Sequence, residues 1–184
     1  MVKKITNTIL TAPQTISKQV VRPDKSNYWS NIGAFSAIAI IGIIYKYFLN
    51  PEDNLFLIGS FGATAVIVFG SGLSLNKQMK NVLIGHTLSA FTGVSLQYML
   101  PSTEMQWLAG GLAVGFSLLL MQMTQSVHPP GGATALIAVI GSEKIKSLGY
   151  WYILTPVLSG VVIILLIAHI IHLLSKKHSP FEKV

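Results

Sequence analysis

Two histidines, His86 and His128, stand in stretches otherwise built from apolar and small residues. Hydroxyls recur nearby in the sequence as Ser60, Thr64, Ser89 and Thr134, and Asn81 adds an amide. An imidazole holds or releases a proton near neutral pH, and hydroxyls donate hydrogen bonds without bringing a charge. That chemistry suits weak binding of a small anion. His128 opens the run His128-Pro129-Pro130-Gly131-Gly132-Ala133-Thr134-Ala135. Proline suits the first helical position, where its missing N–H costs nothing. Pro129-Pro130 therefore reads as a helix start with His128 before it. Gly131 and Gly132 allow close approach of a ligand or another helix. A helix start at membrane depth presents unpaired N–H groups and about half a positive charge, which favours anions. Gly59-Ser60-Phe61-Gly62 reads as a second such start, with Ser60 as N-cap. Each feature also has a structural reading. The small residues can serve helix packing, His128 can cap its helix, and His86 can hydrogen-bond between helices. His169 and His172 lie one turn apart with no third ligand in view, so an interfacial pair is expected and no metal. The chain has no Cys, paired carboxylates, nucleophile–base spacing or cofactor loop. No catalytic residue, enzyme activity or cofactor is expected.

These residues must be positioned by membrane elements. The chain has 184 residues, 51% hydrophobic and 10% charged, against about 25% charged in soluble domains. No Asp, Glu, Lys or Arg occurs between Met105 and Ser142, a stretch longer than the ~20 residues one spanning helix needs. The net charge of +7 is carried largely near the two ends, as for cytoplasmic flanks of membrane helices. A nucleic-acid partner is not implied; the bilayer is.

The domain plan is a basic segment 1–27, a transmembrane domain 28–175 and a basic tail 176–184. Residues 5–10 and 16–21 can form an interfacial helix or belong to a mobile tail. Apolar spans are expected at about 31–49, 55–73, 81–100, 107–124 and 152–174, with a short segment at 133–140. Residues 50–54 read as a turn with solvated acids, and Lys77 and Lys80 as a basic loop. Tyr150-Trp151-Tyr152 reads as an interface anchor. Gly62–Ile67 and Gly132–Ile137 match at five of six positions, 70 residues apart, and Leu88-Ser89-Ala90 meets Leu158-Ser159-Gly160 at the same offset. The expected fold is an all-α membrane protein of about six segments. Four are long helices and two are short or broken, in two halves at about 30–100 and 105–174. Paired interrupted segments point to a transporter's site, here two half-helix starts facing each other near the midplane. If both broken segments cross, the halves are inverted. The basic residues then divide ten to three in favour of the side holding both termini, the ten being Lys3, Lys4, Lys18, Arg22, Lys25, Lys77, Lys80, Lys176, Lys177 and Lys183. If both re-enter, the division is eight to five, so the positive-inside bias favours inverted repeats.

Gly59-Ser60-Phe61-Gly62-Ala63, then Asn81–His86, then His128–Ala135 resemble, in that order, the HPP family of integral membrane proteins. The resemblance covers about residues 30–175. It implies a fold usually described with four membrane helices. Plant and cyanobacterial members have been implicated in nitrite transport, so it implies a transporter or channel for a small anion. A protonated histidine accompanying the anion would give proton-coupled symport; plain conduction is the alternative. Transport of another small solute, and a non-transporting scaffold or sensor subunit, stay open. The expected location is a bacterial plasma membrane with both termini cytoplasmic. Glycine-rich faces permit a homo-oligomer without requiring one.

Overall fold

The structure, a computed structural model, describes residues 25–49, 51–71 and 75–178. The interfacial helix expected within residues 5–21, and residues 179–184 of the tail, lie outside them. Every element among the described residues is helical. In chain order these are α1 (Lys25–Lys46), α2 (Pro51–Gly70), α3 (Leu75–Met99), a 3₁₀ turn (Thr103–Met105), α4 (Gln106–Met123), α5 (Pro129–Ile140), α6 (Glu143–Ser147), a π-helical turn (Ile153–Leu158) and α7 (Ser159–His178). Four stretches are long and apolar enough to cross a membrane: Tyr28–Lys46, Pro51–Gly70, Thr103–Met123 and Ile153–Ser175. At 25 residues α3 is also long enough, about 37 Å, but its first turns carry Asn76, Gln78, Lys80 and Asn81. The 12 residues of α5 reach only about 18 Å, short of the ~30 Å hydrocarbon core.

Several expectations need correction. Gly59–Ala65 is not a break: it lies within the continuous helix α2. Pro51 starts that helix, with Glu52 and Asp53 in its first turn. No proline follows before its end, and glycine alone weakens a helix without stopping it. Ser60 is therefore mid-helix and not an N-cap. Of the two short or broken segments expected, only α5 is short. Residues 51–54 form the first turn of α2 rather than a solvated loop. Asp53 is buried, accepting from Ser142 N–H at 3.0 Å and from the Ser142 hydroxyl. Lys77 and Lys80 belong to the first turns of α3, not to a loop, because no helix breaker stands between Leu75 and Asn81. Glu143, Lys144 and Lys146 lie in α6, which Ser142 caps by accepting from Lys144 N–H. Tyr152 is fully buried rather than an interface anchor, whereas Trp107 and Trp151 are exposed.

Shifting the chain by 70 residues lays α1 on α4, α2 on α5, and α3 on the π-helical turn and α7. Packing follows the same correspondence. The α1 helix contacts α2 and α7, and α4 contacts α5 and α3; α2 meets α5, and α3 meets α7. Among the corresponding helices, α3 packs against α4 and α5 as well as α7, and α7 against α1 and α2. Residues climbing α2 meet residues descending α5: Asp53 with Ser142, Ser60 with Thr134 and Pro130, Thr64 with His128. The α2 and α5 helices are therefore antiparallel.

Close approach of α3 to α5 depends on a row of small residues one turn apart, Gly85, Ser89 and Gly93. A Cβ on Gly131 would sit 2.7 Å from Ser89 Oγ and 3.0 Å from Gly85 O. Small residues at this spacing let helix backbones touch. The turn between α4 and α5 closes in a Schellman pattern. Ser126 N–H donates to Met121 O at 2.8 Å and Gln125 N–H to Gln122 O at 3.1 Å. Gln125 occupies the left-handed position at φ 51°, which normally takes glycine. A left-handed conformation costs a side-chain-bearing residue roughly 1 kcal/mol. Gln125→Gly is expected to raise thermal stability in detergent by about 0.5–1 kcal/mol; a lower melting temperature would contradict this.

Candidate functional site

Where α5 begins, three helices bring polar side chains into an apolar interior. Ser60 and Thr64 come from α2, one turn apart. His86 comes from α3, His128 from the residue before α5, and Thr134 from α5. All five are buried, with exposures between 0 and 2%. The Thr64 hydroxyl stands between the two imidazoles, 2.9 Å from His86 Nε2 and 3.1 Å from His128 Nε2. It also donates toward Ser60 O at 3.1 Å. The other face of His86 meets Thr134, Nδ1 to Oγ1 at 2.8 Å. Thr134 Oγ1 in turn lies 2.9 Å from Ser60 Oγ, which donates to Pro130 O at 2.9 Å. The imidazole centroids are 5.0 Å apart. Phe61 closes the cluster, its ring 5.7 Å from that of His86. Ser60 and Pro130, 70 positions apart, touch directly, which places this cluster between α2 and α5.

Burial of such groups in hydrocarbon is tolerable only when they satisfy one another. Here they form one connected network without a carboxylate, Lys or Arg in it. His86 is the twelfth of the 25 residues of α3 and Ser60 the tenth of the 20 residues of α2, so the cluster sits near the middle of both helices.

The start of α5 is as the prolines imply: His128 is the N-cap and Pro129 and Pro130 open the helix. Its amides are not free, however. Pro129 and Pro130 have no N–H, and Gly131 N–H donates to His128 O at 2.9 Å. The His128 N–H points to Met121 Sδ at 3.5 Å. The polar atoms at this point are therefore those of side chains. The other expected residues divide. Gly131 is buried against Gly85 and Ser89 of α3, and a Cβ on Gly132 would meet only Val114, at 3.7 Å. Gly59 is exposed and Gly62 half-buried, and a Cβ on either would meet nothing within 4 Å. Both turn away from the cluster. Asn81 is half-buried on α3, five residues before His86 and so about 140° around the helix. His169 and His172 are exposed on α7, away from the cluster.

Two contributors escaped the sequence reading. Tyr152 donates to Thr134 O at 3.1 Å, and Met121 lies against both Ser89 Oγ and His128 N–H. Neither has a local signal, because each partner belongs to another element. Ser89 lies beside the cluster, against Met121 and Gly131.

Residues 21–180 match the family described as HPP, transmembrane region. Two curated transmembrane proteins of Dictyostelium discoideum are similar. One is 41% identical over 153 residues, which is 82% of this chain and 53% of that protein. The other is 37% identical over 162 residues, 87% of this chain and 52% of that protein. The chain thus spans about half the length of these relatives. No solved structure matches.

Proposed function

Because the chain belongs to the HPP family of integral membrane proteins, and because its interior holds two histidines joined by a threonine hydroxyl, we propose that it moves a small anion, nitrite foremost, across the bilayer. The observation that carries this reading is Thr64 between His86 and His128. Ionisable side chains at membrane depth are costly and tend to mark substrate or proton paths. Imidazole N–H and hydroxyl groups can replace part of an anion's hydration shell. With no Lys or Arg in the cluster, an anion held there can also leave, as transport requires.

In this reading the protein is a pair of inverted repeats, six crossings with both termini cytoplasmic. The antiparallel run of α2 against α5 and the reciprocal packing of the third helices support it. The five polar residues are closed off in the state described. Release to either side then requires α2 and α5 to separate, as expected where a site lies between two repeats that rock against each other.

Flux into proteoliposomes tests the proposal. Purified protein should speed nitrite uptake well above that of protein-free vesicles, and nitrate, chloride and formate at matched concentration rank the anions. Uptake of a neutral solute such as urea, with every anion at background, would replace the anion reading. Background rates for all solutes would leave the cluster as structural glue between helices.

A further inference from the structure

We infer that His86, rather than His128, binds a proton that enters the site together with the anion. The inference rests on counting hydrogens in the cluster. Six contacts of 2.8–3.1 Å link Ser60, Thr64, His86, His128, Thr134 and Pro130 O. Each hydroxyl supplies one proton. Ser60 must give its proton to Pro130 O, and Thr64 must give its proton to Ser60 O, since a carbonyl only accepts. Both contacts of Thr64 to imidazole Nε2 then need an N–H, one from His128 and one from His86. With its own proton committed, Ser60 must accept from Thr134. Thr134 must then accept from His86 Nδ1. All six contacts are satisfied together only when His86 carries protons on both nitrogens. A second proton on His128 would sit on its Nδ1, outside these contacts, and would satisfy none of them.

With neutral His86, one contact loses its proton. Turning the Thr64 hydroxyl from Ser60 O to His86 Nε2 repairs the imidazole side at the expense of that carbonyl contact. Adding a proton to His86 turns it back. In both states the Thr64 oxygen goes on accepting from His128 Nε2–H.

The imidazolium needs a counter-charge. From α2, His86 faces Thr64 and Phe61, neither of them ionisable. The acid of α2, Asp53, is 11 positions before Thr64, about 16 Å along the helix, and is held by Ser142. From the start of α5 the titratable neighbour is His128. The α4 helix contains no Asp, Glu, Lys, Arg or His. Beside the π-helical turn stands Tyr152, bonded to Thr134 O. Tyr45 of α1 is reached only through Phe61, and His169 and His172 of α7 are exposed. None of these is an anion near the site. A transported anion would fill that place, giving electroneutral entry of one proton per anion. This last step rests on the anion reading above; the proton on His86 does not.

The test is nitrite uptake at pH 8 into proteoliposomes holding a luminal pH dye, with protein-free vesicles as background. The expected result is one proton entering per nitrite, at a rate unchanged by a potassium–valinomycin potential. His86→Gln should slow uptake by about tenfold or more and remove the linked acidification. His128→Gln should keep the proton-to-nitrite ratio of whatever flux remains. Nitrite flux without proton entry, or flux that follows the imposed potential, would overturn the inference and leave the anion reading intact. No flux above background would sink the anion reading. In either case, ¹⁵N-histidine spectra of the wild-type protein in vesicles decide the first step independently of transport. As the pH is lowered without nitrite, an imidazolium signature should appear on His86 before any on His128, and protonation of His128 first would overturn it.

Discussion

Gly93→Ala is expected to destabilise the protein by a clearly measurable amount. A Cβ at position 93 would lie 2.8 Å from Ala138 Cβ and 2.9 Å from Ala135 Cα, and against the Ala135 carbonyl oxygen. Two of these three neighbours are backbone atoms of α5, so no rotamer change relieves the contact. Overpacking of this kind costs about 1–3 kcal/mol, occasionally more. Here it would also push α5 away from α3, carrying His128 and Thr134 out of reach of His86. The matched controls are Gly59→Ala and Gly111→Ala, where the added Cβ meets nothing within 4 Å. Alanine favours a helix over glycine by up to about 1 kcal/mol, so these two should be neutral or stabilising. Melting in detergent separates the cases: a Gly93→Ala protein as stable as wild type would mean that α3 and α5 do not touch as described.

Thr64→Val is expected to remove transport while leaving the bundle standing. Valine matches threonine in shape and removes one hydroxyl. That hydroxyl lies within hydrogen-bond distance of His86 Nε2, His128 Nε2 and Ser60 O. Its loss leaves two buried imidazole nitrogens facing a methyl group. Each unsatisfied buried polar atom costs about 1–3 kcal/mol, so an anion path built on this junction should lose about tenfold or more in rate. Thr64→Ser restores the hydroxyl and should restore most of the flux. If Thr64→Val melts near the wild-type temperature yet transports normally, the hydroxyl bridge is not on the path.

The sequence already carried the membrane class, the short segment started by Pro129-Pro130, and the polar residues of the cluster. Prolines are local signals, and hydroxyls or histidines stand out against apolar neighbours wherever they later meet. What it hid was direction and partnership. Gly62 looked like the twin of Gly132, but α2 turns Ser60 and Thr64 inward and Gly59 and Gly62 outward. A helix rich in small residues on every side does not announce which face is buried. Asp53 looked solvated because its partner, Ser142, is 89 residues away. Tyr152 looked like part of an aromatic belt with Tyr150 and Trp151. Its hydroxyl instead finds the Thr134 carbonyl, on a helix that the belt pattern does not mention. The apparent break at Gly59 failed for a simpler reason: the helix had already begun at Pro51.

The proposed path carries a small anion through the junction of Thr64, His86 and His128. The most direct measurement is the initial rate of nitrite uptake into vesicles carrying wild-type protein, Thr64→Val protein at matched folded content, or no protein. The predicted result is wild-type uptake well above the protein-free rate, with Thr64→Val reduced by about tenfold or more toward it. Equal uptake by wild-type and Thr64→Val vesicles, or wild-type uptake no faster than protein-free vesicles, would contradict the account.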